Sequence, residues 1–422
     1  CPECVKGKVY NLKQPGVFIY LVGRPPVKAT VYRLEKLRCN LCGMIFQAEL
    51  PEQLAEAGAT SRHFDESAKS IMAILRYGCG FPMTRLAALQ KNLGVPLPES
   101  TQWDKLVESA ETMVPVFEEL KRQAAQGSLF HTDDTGMKVL TIMKIIDEEL
   151  EKSDGKNIRT GIFTTGIVST AGEHKIVLYF TGRKHAGENF ADLLEKRQPD
   201  LDQPLHMCDA KNGNAPKNHK VIECNCNTHA RRNFVDVADD FPDQCLYVIA
   251  DVFGEIYKND ALAKQQEMAP DQRLQLHLEK SGPIMDDFKT WLHDQFEQKI
   301  VEPNSSLGKA IQYTITHWTK LTRFLEIPGA PLDNNLCERI LKKSILHRKN
   351  SMFFKTDNGA RIGDMFMSLI HTCVEPGENP FHYLNQLQIH CSQVIKNPEK
   401  WLPWNYRETL AGLDSAEKSD LV

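Results

Sequence analysis

The hydrophobic period of the chain switches twice, and the switches fix what it can fold into. Between residues 127 and 209, β-branched and aromatic runs recur at 129–133, 137–140, 160–170, 175–181 and 204–208, each bounded by turn residues. A helical stretch at 188–196 precedes the last of them. Runs of this kind read as strands, and strands followed by a helix and another strand call for an α/β core. From about 224 to 331 the strand signals vanish and apolar residues recur at helical spacing, as at Leu246, Ile249, Ala250, Phe253, Ile256 and Tyr257. The core resumes at Asp333 with a helix, the apolar run 351–354 and a further helix over 359–373. An α/β core interrupted by an all-helical insertion is therefore expected.

Upstream lie two smaller units. Cys-x-x-Cys occurs at Cys1/Cys4 and at Cys39/Cys42, with a β-leaning spacer that includes 17–22. Four thiolates in two close pairs suit one tetrahedral zinc ion in a zinc ribbon, a structural site because protein fills every position. From 53 to 126 the period is helical, and Gly94-Val95-Pro96-Leu97-Pro98 breaks the last two helices, with Ser100 a candidate N-cap. A possible helix-turn-helix there has a poor recognition helix, since Asp104, Glu108 and Glu111 outnumber its basic residues. The expected division is a zinc ribbon at 1–51, a helical linker at 52–127, core segments at 128–223 and 332–376 flanking the insertion at 224–331, and a tail at 377–422.

No stretch of about eighteen apolar residues and no secretory signal is present, so a cytoplasmic protein without membrane contact is expected. The chain opens on Cys1 rather than Met, and a longer reading frame upstream is expected. A net charge of −4 gives no general attraction to nucleic acid, so DNA contact must come from local basic clusters.

Asp133 and Asp209 each end a strand candidate, where carboxylates from separate strands can converge. Glu338 lies just inside the helix that follows Asp333, on one polar stripe with Asn334, Asn335 and Lys342. Three such carboxylates suit two Mg²⁺ (or Mn²⁺) ions, which favour hard oxygen donors and clamp an in-line displacement at phosphorus. The bland alternatives are turn residues for the aspartates and a capping pair between Asn335 and Glu338. Arg231/Arg232 and the run Arg339, Lys342, Lys343, Arg348, Lys349 flank the acids and suit DNA phosphates.

Several motifs in order resemble the transposases of the insertion-sequence-66 family. They are the paired Cys-x-x-Cys, Leu129-Phe130-His131-Thr132-Asp133-Asp134-Thr135, Cys226-Asn227-Thr228-His229-Ala230-Arg231-Arg232-Asn233-Phe234 and Ser306-Leu307-Gly308-Lys309-Ala310-Ile311-Gln312-Tyr313. Leu332-Asp333-Asn334-Asn335-Leu336-Cys337-Glu338-Arg339, Arg348-Lys349-Asn350 and Leu402-Pro403-Trp404-Asn405 complete the set. The resemblance implies an RNase H-like core with Asp133, Asp209 and Glu338 as an Asp-Asp-Glu triad, supported by Cys226 and His229. It also implies double-stranded DNA, both transposon ends and target, as partner, a homo-oligomer on DNA in the nucleoid, and companion proteins of the same element. Two positions depart from the family: Asp134 stands where Glu is usual, and Ala210-Lys211 where Gly-Tyr follows the second Asp, which leaves Asp200 and Asp202 as outside candidates. The rivals are an RNase H-like nuclease that does not join strands, and a non-catalytic DNA-binding descendant of a transposase.

Overall fold

A computed structural model of the chain describes residues 6, 8, 25–56, 63–152, 158–210 and 213–419. Cys1, Cys4 and the 17–22 run lie outside the described residues. An antiparallel hairpin of β1 (Lys36–Arg38) and β2 (Ile45–Gln47) carries Cys39 and Cys42 in its turn. Four helices follow: α1 (Glu52–Glu56), α2 (Glu66–Ala73), α3 (Met83–Asn92) and α4 (Glu99–Ala124). Pro98, not Ser100, is the N-cap of α4: its fixed φ of −59° sets the chain for entry, so the helix starts two residues earlier than a Ser100 cap would have it.

The sheet is mixed and five-stranded. β3 (Leu129–Gly136), β4 (Phe163–Ala171) and β5 (His174–Gly182) form an antiparallel meander. β6 (Leu205–Cys208) and β7 (Ile222–Asn225) add in parallel on the far side of β3, giving the order β5-β4-β3-β6-β7. The expected strand at 137–140 is not one. Val139 makes a lone parallel bridge to Phe354, and Leu140 opens α5 (Leu140–Lys152), whose buried Ile142 and Ile146 lie one helical turn apart. The strand β7 went unforeseen because Ile222-Glu223-Cys224-Asn225 holds a single β-branched residue and no aromatic one. α6 (Ala186–Leu194) covers one face of the sheet, with the Phe190 and Phe130 rings 4.7 Å apart.

The helical insertion comprises α7 (Asn227–Val235), α8 (Pro242–Leu246), α9 (Glu255–Gln265), α10 (Pro270–Lys280), α11 (Gly282–Glu297), α12 (Ser306–Thr316) and α13 (Trp318–Leu321). It has its own core, built around Phe234, Val252, Phe253, Phe288, Leu307 and Phe324. The chain then returns to the sheet with α14 (Asn335–Ser351) and α15 (Asp357–Val374), and ends in α16 (Pro380–Ile389), α17 (Cys391–Lys396) and α18 (Tyr406–Ser419). One continuous core joins Leu106, Met113 and Leu120 of α4 to the sheet, to Phe366 and Leu369 of α15, and to Tyr383, Trp401 and Tyr406 near the C-terminus. The upstream helices and the C-terminal segment thus pack with the sheet. Among the described residues, no helix is long and apolar enough to cross a membrane.

Strand β5 is the sheet's open edge, and α15 closes it with side chains. Asp364, Ser368 and Thr372 stand at four-residue intervals on one helix face and accept the backbone N–H groups of Thr181 (2.6 Å), Tyr179 (3.0 Å) and Val177 (2.9 Å). Outward amides that would invite a foreign strand are satisfied internally, each bond worth about 1 kcal/mol net. Asp364 is buried, which raises its pKa to about 7 although two Thr181 donors oppose the shift.

Candidate active site

Parallel pairing sets β3 and β6 in a register of Phe130 with His206 and His131 with Met207; Asp133 lies two residues beyond the last of these pairs on β3, and Asp209 directly follows the end of β6. Alternation then assigns faces. Phe130, Thr132 and Asp134 point toward α6: Thr132 Oγ1 lies 2.8 Å from His206 Nε2, and Asp134 accepts the Ala186 N–H at the start of α6 (2.8 Å) and the Thr165 hydroxyl (2.6 Å). The odd positions point the other way, toward α14: His131 Nδ1 lies 3.2 Å from Asn334 Oδ1. Asp209 lies just past the end of β6, whereas Asp133 falls on that face by the same alternation. Asp134, the acid next door, instead caps α6.

Helix α14 is laid on this face by close packing at Gly166, the β4 residue opposite Asp133. A Cβ at Gly166 would sit 3.0 Å from Leu341 Cδ2, 3.1 Å from its Cγ and 3.5 Å from Cys337 Sγ. The Cys337 thiol donates to Gly166 O at 3.3 Å. Its pKa is pushed well above the ordinary value by burial first, then by the charges of Asp133, Asp134 and Glu338. The buried thiol therefore lies near two of the three acids the sequence singles out, Asp133 and Glu338.

The N-terminus of α14 is tied down at three points. Asn334, fully buried, donates its side-chain amide to Thr132 O (2.9 Å) and its backbone N–H to Cys226 Sγ (3.2 Å). Asn227 bonds Leu321 O and Leu332 O with its side chain, at 3.0 and 3.1 Å. These bonds hold the start of α7 beside the start of α14. The capping pair between Asn335 and Glu338 does not form: Asn334 is the N-cap, Asn335 is exposed, and Asp333 accepts the Asn335 N–H at 3.0 Å. Glu338 lies a full turn into the helix, and its buried Oε1 has no hydrogen-bond partner. His229 Nε2 approaches that oxygen at 3.9 Å. Ligand atoms of Cys226, His229 and Glu338 all fall within 4.8 Å of one another, a group to which the two aspartates do not belong.

Asp209, nearly buried, accepts from Asn214 Nδ2. The Tyr313 phenol on α12 belongs to this environment: burial first, then the charge of Asp209, pushes its pKa up to about 12. Nothing in the spacing of the sequence links Tyr313 to Asp209; only the motif around it hinted at a role. Burial holds His131 at a pKa of about 4 and His206 at about 3, so both imidazoles, His131 on the α14 face of the sheet and His206 on the α6 face, are neutral at pH 7. Asp200 and Asp202 are exposed in the loop before β6, away from this face.

Around the acids, Arg232, Arg339, Lys342, Lys343 and Lys349 are exposed and Arg231 is half-buried. Arg348 is differently engaged, donating to Gly136 O and so fastening α14 to the end of β3. At the N-terminal hairpin, Cys39 N–H donates to Met44 O (2.8 Å) and Gly43 N–H to Cys39 O (3.0 Å), with Gly43 at φ +74° where a side chain would be strained. Backbone N–H groups of Cys42 and Leu41 turned toward Cys39 Sγ lower its thiol pKa, a setting that favours a thiolate ligand.

Residues 63–362 match the model of the Transposase IS66 family. Among curated proteins, the chain is 33% identical to the uncharacterized protein y4jD of Sinorhizobium fredii over 190 residues, 44% of this chain and 36% of that protein. It is 22% identical to y4hP of the same organism over 397 residues, 89% of this chain and 68% of the relative. With y4qI it shares 22% identity over 403 residues, 92% and 70% of the two chains. The chain thus spans about a third of y4jD and about two thirds of the other two relatives. With a family match that runs from the start of α2 into α15 and takes in every element of the sheet and the acids on it, the chain belongs to the IS66 family of transposases.

Proposed function

We propose that the protein cleaves DNA at insertion-sequence ends and joins the freed 3′ ends to target DNA, with Asp133, Asp209 and Glu338 as the catalytic acids of an RNase H-like core. The observation that carries this reading is the placement of Asp133 and Glu338 around one buried thiol, Cys337, with Asp209 directly following the strand that pairs in parallel with β3. The donor set fits the ions such chemistry uses, because all three side chains offer hard oxygens and Glu338 Oε1 is buried without a partner. A pair of Mg²⁺ or Mn²⁺ ions held there would activate the attacking oxygen and stabilise the leaving one.

The remaining work falls to the chain's own residues. Asn334 ties the start of α14 to β3 and Gly166 sets its distance from β4, so the Glu338 carboxylate is presented by a helix held at two points on the sheet. Neutral His131, two residues before Asp133 on the same face, puts no competing positive charge there. Exposed Arg232, Arg339, Lys342, Lys343 and Lys349 supply phosphate contacts that orient the duplex without reading its bases. Cys39 and Cys42, with Cys1 and Cys4, are read as the ligands of one structural zinc ion.

The test is a cleavage and strand-joining assay on insertion-sequence-end DNA in Mg²⁺. Glu338→Gln should stay folded and lose both activities by at least about 100-fold, since the amide is a poor Mg²⁺ ligand and the side chain makes no capping bond. Activity near that of the unmodified chain refutes the triad. Cleavage without joining by the unmodified chain reduces the protein to a nuclease.

A further inference from the structure

Next to the proposed hard-metal acids sits a donor set of a different kind. Cys226 and His229 are three residues apart at the start of α7, on one side of the helix, and they meet Glu338 of α14. A thiol, an imidazole and a carboxylate suit Mg²⁺ badly and zinc-type ions well. We propose that Cys226, His229 and Glu338 form a second cation site, selective for a borderline-soft divalent ion such as Zn²⁺, that shares Glu338 with the acidic cluster.

Three observations carry this. First, a tetrahedral zinc ion with nitrogen and oxygen ligands at 2.0–2.1 Å has ligand-to-ligand edges of roughly 3.4 Å, and His229 Nε2 is already 3.9 Å from Glu338 Oε1. Small rotations of two side chains close the set. Second, Glu338 Oε1, the atom that His229 Nε2 approaches, is buried without a hydrogen-bond partner, a buried acceptor that a cation would satisfy. Third, the frame is built. Cys226 Sγ is oriented by the Asn334 N–H, and the Asn227 bonds clamp α7 to the chain entering α14, so the donors arrive from two elements fixed to each other.

Three protein ligands leave a zinc ion one open coordination position. The consequence for activity rests on the proposed role of Glu338: an ion bound to Cys226 and His229 draws the carboxylate toward α7, so Zn²⁺ antagonises the Mg²⁺ reaction. The site itself does not depend on that role.

The experiment is a Co²⁺ titration of the full chain carrying Cys39→Ser and Cys42→Ser, followed by thiolate-to-cobalt absorption in the near ultraviolet and the visible bands of tetrahedral cobalt. The difference spectrum between chains with and without Cys226→Ser isolates the new site. The expected result is a one-equivalent band that Cys226→Ser removes and that His229→Gln and Glu338→Gln weaken by at least about tenfold. Absence of the band, or its survival in Cys226→Ser, overturns the site. Should Cys226→Ser fail to fold, His229→Gln decides, because that side chain is partly exposed; unchanged cobalt affinity in it also overturns the site. Cobalt binding by a chain that cuts no DNA would refute the proposed function and leave this site standing. Bound Zn²⁺ that leaves Mg²⁺-dependent cleavage undiminished would refute the sharing of Glu338.

Discussion

Gly166→Ala tests whether close packing of α14 on β4 sets the active-site geometry, because two opposing effects predict opposite signs. Gly166 has no positive φ, so in an open position alanine would stabilise the strand by about 0.4–1 kcal/mol through the unfolded chain. The site is not open. The new Cβ would stand 3.0 and 3.1 Å from Leu341 Cδ2 and Cγ, where carbon atoms normally rest at about 3.5–4.0 Å. Leu341 is 3% exposed and cannot swing into solvent, so the helix must lift by about half an ångström or the leucine must leave its rotamer. Overpacking of this kind costs about 1–3 kcal/mol, which exceeds the entropic gain. Native-state hydrogen exchange at the α14 amides should therefore quicken by roughly tenfold, the factor that a net cost of about 1.3 kcal/mol gives at mid-range of the two effects. Strand cleavage should fall at least about tenfold, since displacement of Glu338 by a fraction of an ångström spoils a shared metal site. Leu341→Ala placed in the same chain should recover part of the cleavage by vacating the contact. Slower exchange with full activity in Gly166→Ala would refute the reasoning, because it would show that Leu341 yields and that α14 is not held at contact distance.

Metal analysis of the purified chain should show that Cys39→Ser with Cys42→Ser removes one equivalent of zinc; unchanged zinc content would sink the ribbon. Replacing both Lys342 and Lys343 with Gln should weaken binding to all DNA sequences alike and flatten the plot of log affinity against log salt by roughly 1.8, and an unaltered slope would place the phosphates elsewhere. Asp364 titrates near pH 7 in the folded protein and well below that when unfolded, so its contribution to stability is fully present at pH below the unfolded value and declines as pH rises toward 7. Asp364→Asn should remove that decline and make the protein more stable at pH 8 than the unmodified chain, because the Thr181 hydroxyl can turn to accept the amide and donate to Thr164 Oγ1, 2.8 Å away; urea unfolding at pH 5 and pH 8 measures it, and an equal pH dependence in both proteins would contradict it.

The proposed triad acids were candidates in the sequence because Asp133 and Asp209 follow apolar strand runs and Glu338 sits in a helix start rich in Asn, and it was the resemblance of the motifs around them to a family that joined the three. The change of period at 224 likewise announced the helical insertion, which does have a core of its own. Local signatures stop at local structure. The capping pair read at Asn335 and Glu338 failed because Asn334, one residue earlier, takes the N-cap position, its side chain bonding to the backbone of β3, more than two hundred residues upstream. That α4 and the C-terminal helices belong to the same core as the sheet was invisible, because amphipathic spacing shows that a face is buried without showing what buries it. Likewise, the sequence by itself determined the donor types at Cys226, His229 and Glu338, whereas only the tertiary structure decided that they meet. Proximity across more than a hundred residues is set by the contact of α7 with α14 and by the absent side chain at Gly166, and neither leaves a trace in the periodicity of the chain.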